Sequence, residues 1–424
     1  MIECTEAPSY RIMFYPAEVT DKKAVIIMSV KYDTLIIGAG PSGISAAISL
    51  QKAGITNAVL EKKEFPRKKT CGGLVTLKTL KALEALLDMQ GSDIITAAFC
   101  DSSSTVELYH KSEPLTRSQT TGPFYFVKRE SFDNFLADTY RGSKGHLYEN
   151  AGNYSVDFSD RAVHLENGEE LLFDHLIVAD GALSSTGARL GYPKTHLGFC
   201  VESFLPRSDL AEKADYSGEV RIHLGMVDKG YAWVFPSGEE VCVGLGGVYS
   251  VKTDYIRELK IFLEQMGITG NDYKIKGAFV PYGEVVDQRK GRDDVVLVGD
   301  AGGFVDPIYG EGLYFAIRSG CEAAGAILSS KEKTDGSSFK SVFSDNMQPY
   351  VKLIKQGRKL QKYFSSDLIL KRFAGRLRGK NEFAAYYCDN QIAEYNYPYN
   401  GLKKLHSDYK RLQKNKNSQP VKEL

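Results

Sequence analysis

A glycine-rich turn between an apolar strand and a helix, near the start of the chain, constrains the fold most. Residues 34–37 form an apolar run that is too short for a helix and ends at a glycine, which predicts a buried parallel strand. Residues 44–50 follow with helical spacing of apolar side chains, and residues 57–60 predict a second buried strand that ends at Glu61. This strand–helix–strand pattern predicts an α/β fold with a parallel sheet.

The glycines of this turn have GxGxxG spacing, and each has a physical role. Gly38 allows the tight turn out of the strand, Gly40 lets a phosphate approach the backbone, and Gly43 lets the helix pack close to the sheet. The helix N-terminus offers N–H groups and a partial positive charge, and Glu61 can accept hydrogen bonds from a ribose. We therefore predict a dinucleotide site whose loop residues are Gly38, Gly40, Pro41, Ser42 and Gly43.

Composition excludes several classes of protein. The chain has 424 residues, 43% of them hydrophobic, which is ample for two or three domains. A net charge of +1 favours no charged partner, and we expect no nucleic-acid binding. The seven cysteines form neither a CxxC motif nor a Cys/His cluster, so we expect no metal site and a reducing, cytoplasmic compartment. No apolar run is long enough to span a membrane.

The loop after Glu61 is basic. One interpretation is a solvated run of charge, and the other is neutralisation of the dinucleotide phosphates. Because the run follows the ribose-binding acid directly, we favour the second interpretation, with the phosphates neutralised by one of residues 67–69. We include Lys62 and Lys69 among the cofactor-binding residues.

The middle of the chain alternates between two kinds of pattern. Residues 95–127 predict short strands with a polar link, and residues 129–137 predict a helix. Residues 153–174 alternate and carry an Asn-Gly hairpin signal. Strand-like stretches interrupted by one helix then dominate residues 197–280, which predicts a mostly antiparallel sheet inserted into the nucleotide-binding fold.

We therefore predict an α/β protein: a Rossmann-like domain, an inserted, mostly antiparallel β-sheet substrate domain, and a helical C-terminal region. Residues 1–30 are predicted to form an N-terminal extension or loosely attached arm. The nucleotide-binding domain comprises residues 31–94, 124–190 and 291–330, and the substrate domain comprises residues 95–123 and 191–290. Residues 331–424 are predicted to form a basic helical region with a disordered end at 412–424.

Three further sites indicate which dinucleotide binds. Asp180-Gly181 and Gly299-Asp300 each end an apolar strand, and Arg129 opens a helix, so all three would meet the first glycine loop at the C-terminal edge of one sheet. Asp300 is a second acid, in addition to Glu61, and a nicotinamide dinucleotide site does not require it. It suits the ribityl chain of FAD, which would extend towards a second glycine loop at Gly310 and Gly312. We predict FAD.

Several motifs resemble those of the geranylgeranyl reductase family, a branch of the FAD-dependent group that includes para-hydroxybenzoate hydroxylase. The resemblance covers roughly residues 32–328. GxGxxG and the Asp-Gly pairs mark the wider group, whereas the YxWxFP and GFVDPxxGEG elements are more specific to the reductases. The motifs are GAGPSG, CGGL, KRESFDNFLA, ADGALSS, GYAWVFPSGEEVCVGLGG and GDAGGFVDPIYGEGLYFAIRSG.

The resemblance implies roles for individual residues. Those that would hold FAD, or lie beside its flavin ring, are Gly38, Gly40, Gly43, Glu61, Cys71, Gly72, Arg129, Asp180, Gly181, Asp300, Gly310, Glu311 and Gly312. Those that would wall the substrate cavity are Tyr231, Trp233, Phe235 and Pro236.

The activity implied is an FAD-dependent reductase that saturates C=C bonds of an isoprenoid chain or prenylated lipid, with hydride from flavin N5. Cys71, Tyr231 or an ordered water would supply the proton, and NAD(P)H or ferredoxin the electrons. The alternatives are an FAD-dependent monooxygenase, either an aromatic hydroxylase or a halogenase, and a non-catalytic flavin-bearing lipid-binding protein.

Residues 351–380 form a basic amphipathic stretch. It would either lie on an anionic membrane, at the inner face, or pack on the body of the protein with its lysines in water. The sequence does not decide between these two hypotheses.

Overall fold

The computed structural model describes residues 9–13, 27–193, 196–270, 273–332, 336–364, 367–393, 407 and 409–411. The strands are β1 Ser9–Met13, β2 Ile27–Ile37, β3 Asn57–Leu60, β4 Leu74–Val75, β5 Asp101–His110, β6 Glu113–Phe126, β7 His146–Tyr148, β8 Tyr154–Asp157, β9 Ala162–Leu165, β10 Glu170–Val178, β11 Leu197–Pro206, β12 Val220–Leu224, β13 Gly230–Ser237, β14 Glu240–Val248, β15 Lys276–Pro281 and β16 Val295–Leu297. The α-helices are α1 Pro41–Lys52, α2 Leu77–Leu87, α3 Gly91–Ala98, α4 Arg129–Gly142, α5 Ser185–Arg189, α6 Arg207–Ala214, α7 Tyr255–Gln265, α8 Leu313–Glu332, α9 Phe339–Asn346, α10 Gln348–Phe364, α11 Asp367–Leu377 and α12 Asn381–Ala393.

The first sheet has a parallel centre that brings the predicted site together. Its strands β7, β3, β2, β10 and β16 pair in that order, all parallel. The paired residues Leu60, Ile37, Val178 and Leu297 lie at the carboxyl ends of four of these strands. Because parallel strands end at the same edge, the loops that follow them converge there. The predicted α/β fold with a Rossmann-like domain is confirmed.

Helix α1 packs against α8 at very short range. A Cβ at Gly320 of α8 would lie 2.2 Å from the carbonyl oxygen of Ser42, so only glycine allows this approach. The contact places the start of α1 next to α8. Helix α1 follows the first glycine loop, and α8 follows the second glycine loop, at Gly310 and Gly312. The two loops are therefore held together by a helix–helix contact.

Two predictions about the N-terminal part are wrong. Strand β2 begins at Ile27 rather than near residue 34, and Ser9–Met13 pairs with Ile27–Lys31 in antiparallel register. This part of the predicted loose arm is therefore a strand of the sheet. The apolar run in the sequence marks only the half of β2 that is buried on both faces, whereas Lys31 and Asp33 interrupt the pattern in the other half.

The second sheet has the order β15-β11-β14-β13-β12-β5-β6-β4 and is antiparallel except between β12 and β5. This confirms the predicted mostly antiparallel sheet. The short strands predicted within 95–127 are wrong, because this segment forms the end of α3 and a hairpin of the long strands β5 and β6. Serine and threonine line much of this hairpin, so the apolar signal of a long strand is weak. Helix α6 was not predicted.

The described part of the C-terminal region packs on the body. Ile354 of α10 is completely buried, and a Cβ at Gly357 would lie 3.0 Å from Pro307. The side chains of Lys352, Lys355 and Lys359 are exposed. The apolar side of α10 is thus used in the fold, and its basic side faces solvent. Among the described residues no helix is both long and apolar enough to cross a bilayer. The tail at 412–424 lies outside the described residues.

Candidate functional site

The first glycine loop leaves an open cradle at the start of α1. Gly38 has a φ of +102°, and a Cβ there would lie 2.4 Å from the carbonyl oxygen of Ala179. A Cβ at Gly43 would lie 1.9 Å from the carbonyl oxygen of Gly38, so the loop and helix touch backbone to backbone. Gly40 provides no side-chain cap for α1, and Pro41 is the first residue of the helix. The helix therefore offers its first N–H groups outward, as an anion site requires.

Arg67 lies over this cradle. Its Nη2 is 3.9 Å from the position that a Cβ of Gly40 would take, and apart from Gly40 and its two chain neighbours no other described residue comes within 4 Å of that position. Its Nε is 3.1 Å from Glu61 Oε2, which also accepts the Ala39 N–H at 3.1 Å. Of the basic residues in the 67–69 segment, Arg67 is the one placed to neutralise a phosphate at the glycine loop.

A buried ion-pair network fixes Arg67 and Arg129. Asp133 Oδ2 accepts Arg67 Nη1 at 3.1 Å, and Asp133 Oδ1 accepts Arg129 Nε at 2.7 Å. Burial alone would lower the pKa of Arg129, but the Asp133 carboxylate more than offsets it and raises the pKa. Sequence reasoning missed Asp133, although its spacing of four from Arg129 on one helix was a usable signal.

The predicted strand-end acids have free acceptor capacity. Asp180 Oδ2 accepts the Thr186 N–H at 3.1 Å, whereas its Oδ1 is buried and has no hydrogen-bond partner among the described residues. Gly181, which follows, has a φ of +88°. Asp300 lies in the 3-10 turn Gly299–Gly302, with Oδ1 3.6 Å from the position of a Cβ at Gly312. A buried carboxylate oxygen such as Asp180 Oδ1 suits a ribose or ribityl hydroxyl, so the residues present fit FAD.

The second glycine loop is tied to helix α2 by Glu311. Its carboxylate accepts the hydroxyls of Thr76 at 2.8 Å and Thr79 at 3.2 Å, and it pairs with Lys78 Nζ at 2.9 Å. We predicted Glu311 among the cofactor-binding residues, and the structure directs its side chain to α2 instead. Its carbonyl oxygen accepts the Asp306 N–H at 3.0 Å, which leaves its own N–H, between Gly310 and Gly312, as the group that a cofactor could contact.

The two lysines predicted at the cofactor lie on the same loop as Arg67, and their role there stays a prediction. Lys62 Nζ is 5.5 Å from the centre of the Tyr154 ring. Lys69 is exposed, and its charge acts on Glu202 and Cys200. Of these basic residues, Arg67 is the one whose side chain lies next to Gly40, which the spacing of charges could not single out.

One face of the second sheet carries the aromatic residues in a regular grid. Tyr231, Trp233 and Phe235 alternate along β13 on the same face, with ring centres 5.9 and 6.2 Å apart. The register places Gly246, Gly244 and Cys242 of β14 beside them, and Cys200, Glu202 and Phe204 of β11 beyond. A Cβ at Gly244 would lie 2.4 Å from the indole, so this glycine makes room for Trp233. Pro236, predicted in the cavity wall, alternates to the opposite face with Val241.

The Cys71–Gly73 loop crosses this face. A Cβ at Gly72 would lie 3.2 Å from both Trp233 Nε1 and Phe235 Cδ2. The Cys71 N–H donates to Glu202 Oε1 at 2.9 Å, and the thiol interacts with the buried Arg129. One continuous loop thus connects the cradle at Arg67 to the aromatic face.

The second glycine loop meets the same face at Tyr231. The Tyr231 hydroxyl donates to the carbonyl oxygen of Tyr309 and lies 3.6 Å from the position of a Cβ at Gly310. The Tyr309 hydroxyl is hydrogen-bonded to that of Tyr387 in α12. The buried cluster on this face also includes Cys388. Helix α12 therefore covers part of the aromatic face, which the sequence did not predict.

Glu202 was also missed from the sequence. It is a buried carboxyl group on β11, and burial raises its pKa to about 7. Two thiols on the same face hold their protons more tightly than usual, because burial raises the pKa of Cys200 to about 12 and that of Cys242 well above its ordinary range. The sequence did offer one signal for Glu202, which is a single acid at an inward-facing position of a largely apolar strand.

Comparison with known proteins agrees with this geometry. Residues 31–88 match the FAD binding domain family. The chain is 30% identical to an uncharacterized protein of Methanosarcina barkeri, over 71% of this chain and 75% of that one. It is 27% identical to the geranylgeranyl diphosphate reductase of Rhodobacter capsulatus, over 81% and 87%. The chain belongs to the geranylgeranyl reductase family. It is an FAD-dependent oxidoreductase, as predicted.

Other similar proteins are named for different activities. The menaquinone reductase of Mycolicibacterium smegmatis is 29% identical over 73% of this chain and 80% of its own length. A geranylgeranyl bacteriochlorophyll reductase-like structure from Thermoplasma acidophilum has a TM-score of 0.66 at 22% identity, over 84% of this chain and 92% of its own. A halogenase mutant in complex with FAD has a TM-score of 0.62 at 17% identity, over 79% and 77%. The last two likenesses show the fold.

Proposed function

We propose that this oxidoreductase saturates C=C bonds in the isoprenoid chain of a prenyl compound or prenylated lipid. The observation that carries the proposal is the position of the aromatic face. The Cys71–Gly73 loop, which continues from the FAD phosphate cradle, crosses it at Trp233 and Phe235, and the second glycine loop meets it at Tyr231. A substrate on this face would lie next to the flavin ring.

The chemistry of the face suits an isolated alkene. Such a group has no hydrogen-bonding handle, so its binding depends on burial of apolar surface, at about 25 cal/mol per Å². Trp233 and Phe235 are 6% and 5% exposed and belong to one apolar cluster that includes residues of β5, β6 and α12. A hydrocarbon chain bound against this cluster would have its reacting carbons kept from water.

The cofactor, when bound in its reduced form, supplies a hydride equivalent. Arg67 and the start of α1 would hold the phosphates, and Glu61, Asp180 and Asp300 would accept hydrogen bonds from sugar and ribityl hydroxyls. The buried Arg129 would keep a positive charge near the Cys71 loop. These residues orient the reactants and exclude water, and the remaining requirement is a proton for the second carbon.

Cys71 and Tyr231 are the proton donors that the sequence suggested. The Tyr231 hydroxyl is already committed to the Tyr309 carbonyl, and burial raises its pKa far above the ordinary tyrosine value. We therefore assign Tyr231 to holding the second glycine loop against the sheet. Cys71 lies beside Arg129, in the loop that crosses the aromatic face, and stays a candidate donor.

The test is anaerobic turnover of the purified holoprotein. We would reduce the protein with light, add geranylgeranyl diphosphate or menaquinone, and follow flavin reoxidation and a mass gain of about two per saturated bond. Supplying NADPH or reduced ferredoxin in place of light identifies the electron donor. Trp233→Ala should weaken prenyl substrate binding while FAD is retained, and exposed Lys81→Ala is the control.

The outcomes separate the three hypotheses. Saturated product without oxygen supports the reductase. Substrate-dependent hydrogen peroxide, or a hydroxylated or halogenated product in air, would indicate a monooxygenase. Flavin that is reduced and reoxidised without any response to prenyl compounds would indicate a lipid-binding protein. Either of the last two results overturns the proposal.

A further inference from the structure

Glu202 differs from four other buried carboxylates of the structure, each of which accepts an ion pair from arginine. These four are Glu107, Asp133, Glu219 and Asp294. Glu202 is only 3% exposed, and in the described part of the chain no cationic side chain lies within ion-pair distance of it. A buried acid without a paired cation costs stability, so its presence on the reactive face requires a functional account.

The contacts of Glu202 place it between the loop and the indole. Its Oε1 accepts the Cys71 N–H at 2.9 Å, and its Oε2 lies 3.8 Å from the Cys242 thiol. In the sheet it shares a cross-strand row with Gly244 and Trp233. Because Gly244 has no side chain, the indole of Trp233 occupies the space above it, and Glu202 is the next side chain along the row. Glu202 therefore lies on the same face of the sheet as Trp233, two strands away.

Charged and titratable groups face Glu202 from each neighbouring element. Cys71 and Lys69 come from the loop, Cys242 from β14, Lys276 from β15, and Cys200 from β11 itself. Both lysines are exposed, and their attraction is weaker than the effect of burial, which favours the protonated acid. Near neutral pH the group exchanges its proton, whereas Cys200 and Cys242 keep theirs. A proton donor for repeated turnover needs this property.

We propose that Glu202 donates the proton that completes reduction of the alkene, an inference that rests on the proposed function. The O–H bond of the carboxylic acid breaks, and a C–H bond forms at one alkene carbon. The π electron pair of the alkene makes that bond while a hydride equivalent from the reduced cofactor reaches the other carbon. The alkene thus gains two hydrogens, and the cofactor is left oxidised. The carboxylate keeps the Cys71 N–H as a donor and is reprotonated from solvent.

The experiment compares three variants of the full-length holoprotein. Glu202→Gln keeps the shape and the acceptor for the Cys71 N–H but has no acidic proton. Glu202→Asp retains a carboxylic acid, but its side chain is one methylene shorter, so the acid lies further from the substrate. Ser203→Ala is the matched control, because Ser203 is the next residue of β11, equally buried, and alternates to the opposite face. Flavin absorbance and binding of geranylgeranyl diphosphate are measured first, to show that each variant is loaded.

Two readouts follow, and one does not depend on turnover. Infrared spectra of the protein titrated from pH 5 to 9 should show a protonated carboxyl band that disappears near pH 7 in the wild type and is missing in Glu202→Gln. Anaerobic turnover should fall at least about 100-fold in Glu202→Gln, with partial recovery in Glu202→Asp and little change in Ser203→Ala. The wild-type rate should decline above about pH 7, where the acid is ionised.

The results are distinguishable from failure of the proposed function. An active wild type together with an equally active, FAD-loaded Glu202→Gln overturns the assignment of Glu202 and leaves the reductase proposal standing. An unchanged infrared band in Glu202→Gln also overturns it. A wild type that is inert towards every prenyl compound overturns both proposals.

Discussion

Arg67 lies across the open side of Gly40, with Nη2 3.9 Å from the position that a Cβ would take. An anion in the space between them would meet both a guanidinium and a helix N-terminus. Because Asp133 and Glu61 hold the guanidinium from the other side, Arg67 is oriented before any ligand arrives. Two predictions depend on this relationship.

Gly40→Val should yield a folded but colourless protein. The valine side chain would occupy the space of the diphosphate, whereas its Cβ would meet, apart from the two neighbouring residues of the chain, no described atom within 4 Å other than Arg67 Nη2. The measurement is the visible absorbance of the purified protein, with circular dichroism to confirm folding. Gly142→Ala is the control, because a Cβ there meets nothing within 4 Å. A yellow Gly40→Val protein would contradict the cradle.

Arg67→Ala should weaken FAD binding by about tenfold to a hundredfold, since a charge-assisted contact is worth roughly 1.5–3 kcal/mol. Asp133 would keep its pair with Arg129, so the fold should survive the change. Titration of apoprotein with FAD measures the dissociation constant. Lys68→Ala, at an exposed residue of the same loop, should bind FAD as the wild type does. Equal affinities for the two variants would remove Arg67 from the site.

Glu202 should make the protein less stable as the pH rises. Its pKa is raised on folding, so its contribution to stability is fully present below its unfolded pKa, near 4.5, and is lost by about pH 7. The loss should be on the order of 2–4 kcal/mol. Chemical denaturation at several pH values measures it, and Glu202→Gln should show a flatter profile across this window. Parallel profiles for wild type and variant would contradict the raised pKa.

Tyr231→Phe should lower stability by about 1–2 kcal/mol, because it leaves the Tyr309 carbonyl without its donor. If Glu202 is the acid, turnover of this variant should stay within a few-fold of the wild type. Tyr216→Phe is a matched control, since the buried Tyr216 hydroxyl has no hydrogen-bond partner among the described residues. A loss of turnover comparable with that of Glu202→Gln would return the role of proton donor to Tyr231.

The exposed lysines of α10 permit a test of membrane contact. Lys352, Lys355 and Lys359 have helical spacing on the solvent side, and each would contribute about 1 kcal/mol near an anionic surface. Changing all three to glutamate should abolish sedimentation with phosphatidylserine vesicles, and a triple change at the exposed Lys81, Lys144 and Lys213 is the charge-matched control. Equal vesicle binding by both triple variants would exclude α10 as the contact.

Local signals account for what was predicted correctly. The turn at Gly38, the strand ends at Asp180 and Asp300, and the aromatic alternation along β13 each depend on residues close together in the chain. The start of β2 was missed because only its second half is buried on both faces. The hairpin of β5 and β6 was missed because its polar residues hide the alternation.

The amino-acid sequence by itself determined the nucleotide-binding fold, the FAD prediction and the aromatic strand, because glycine spacing and side-chain alternation act over a few residues. Only the tertiary structure decided that Arg67 lies over Gly40, that Glu311 faces α2, and that α12 covers part of the aromatic face. It also brought Glu202 of β11 next to Cys71, and burial there changes the pKa of the carboxyl group. The burial of Glu202 and the pair of Arg67 with Asp133 depend on residues far apart in the chain, and no local pattern encodes them.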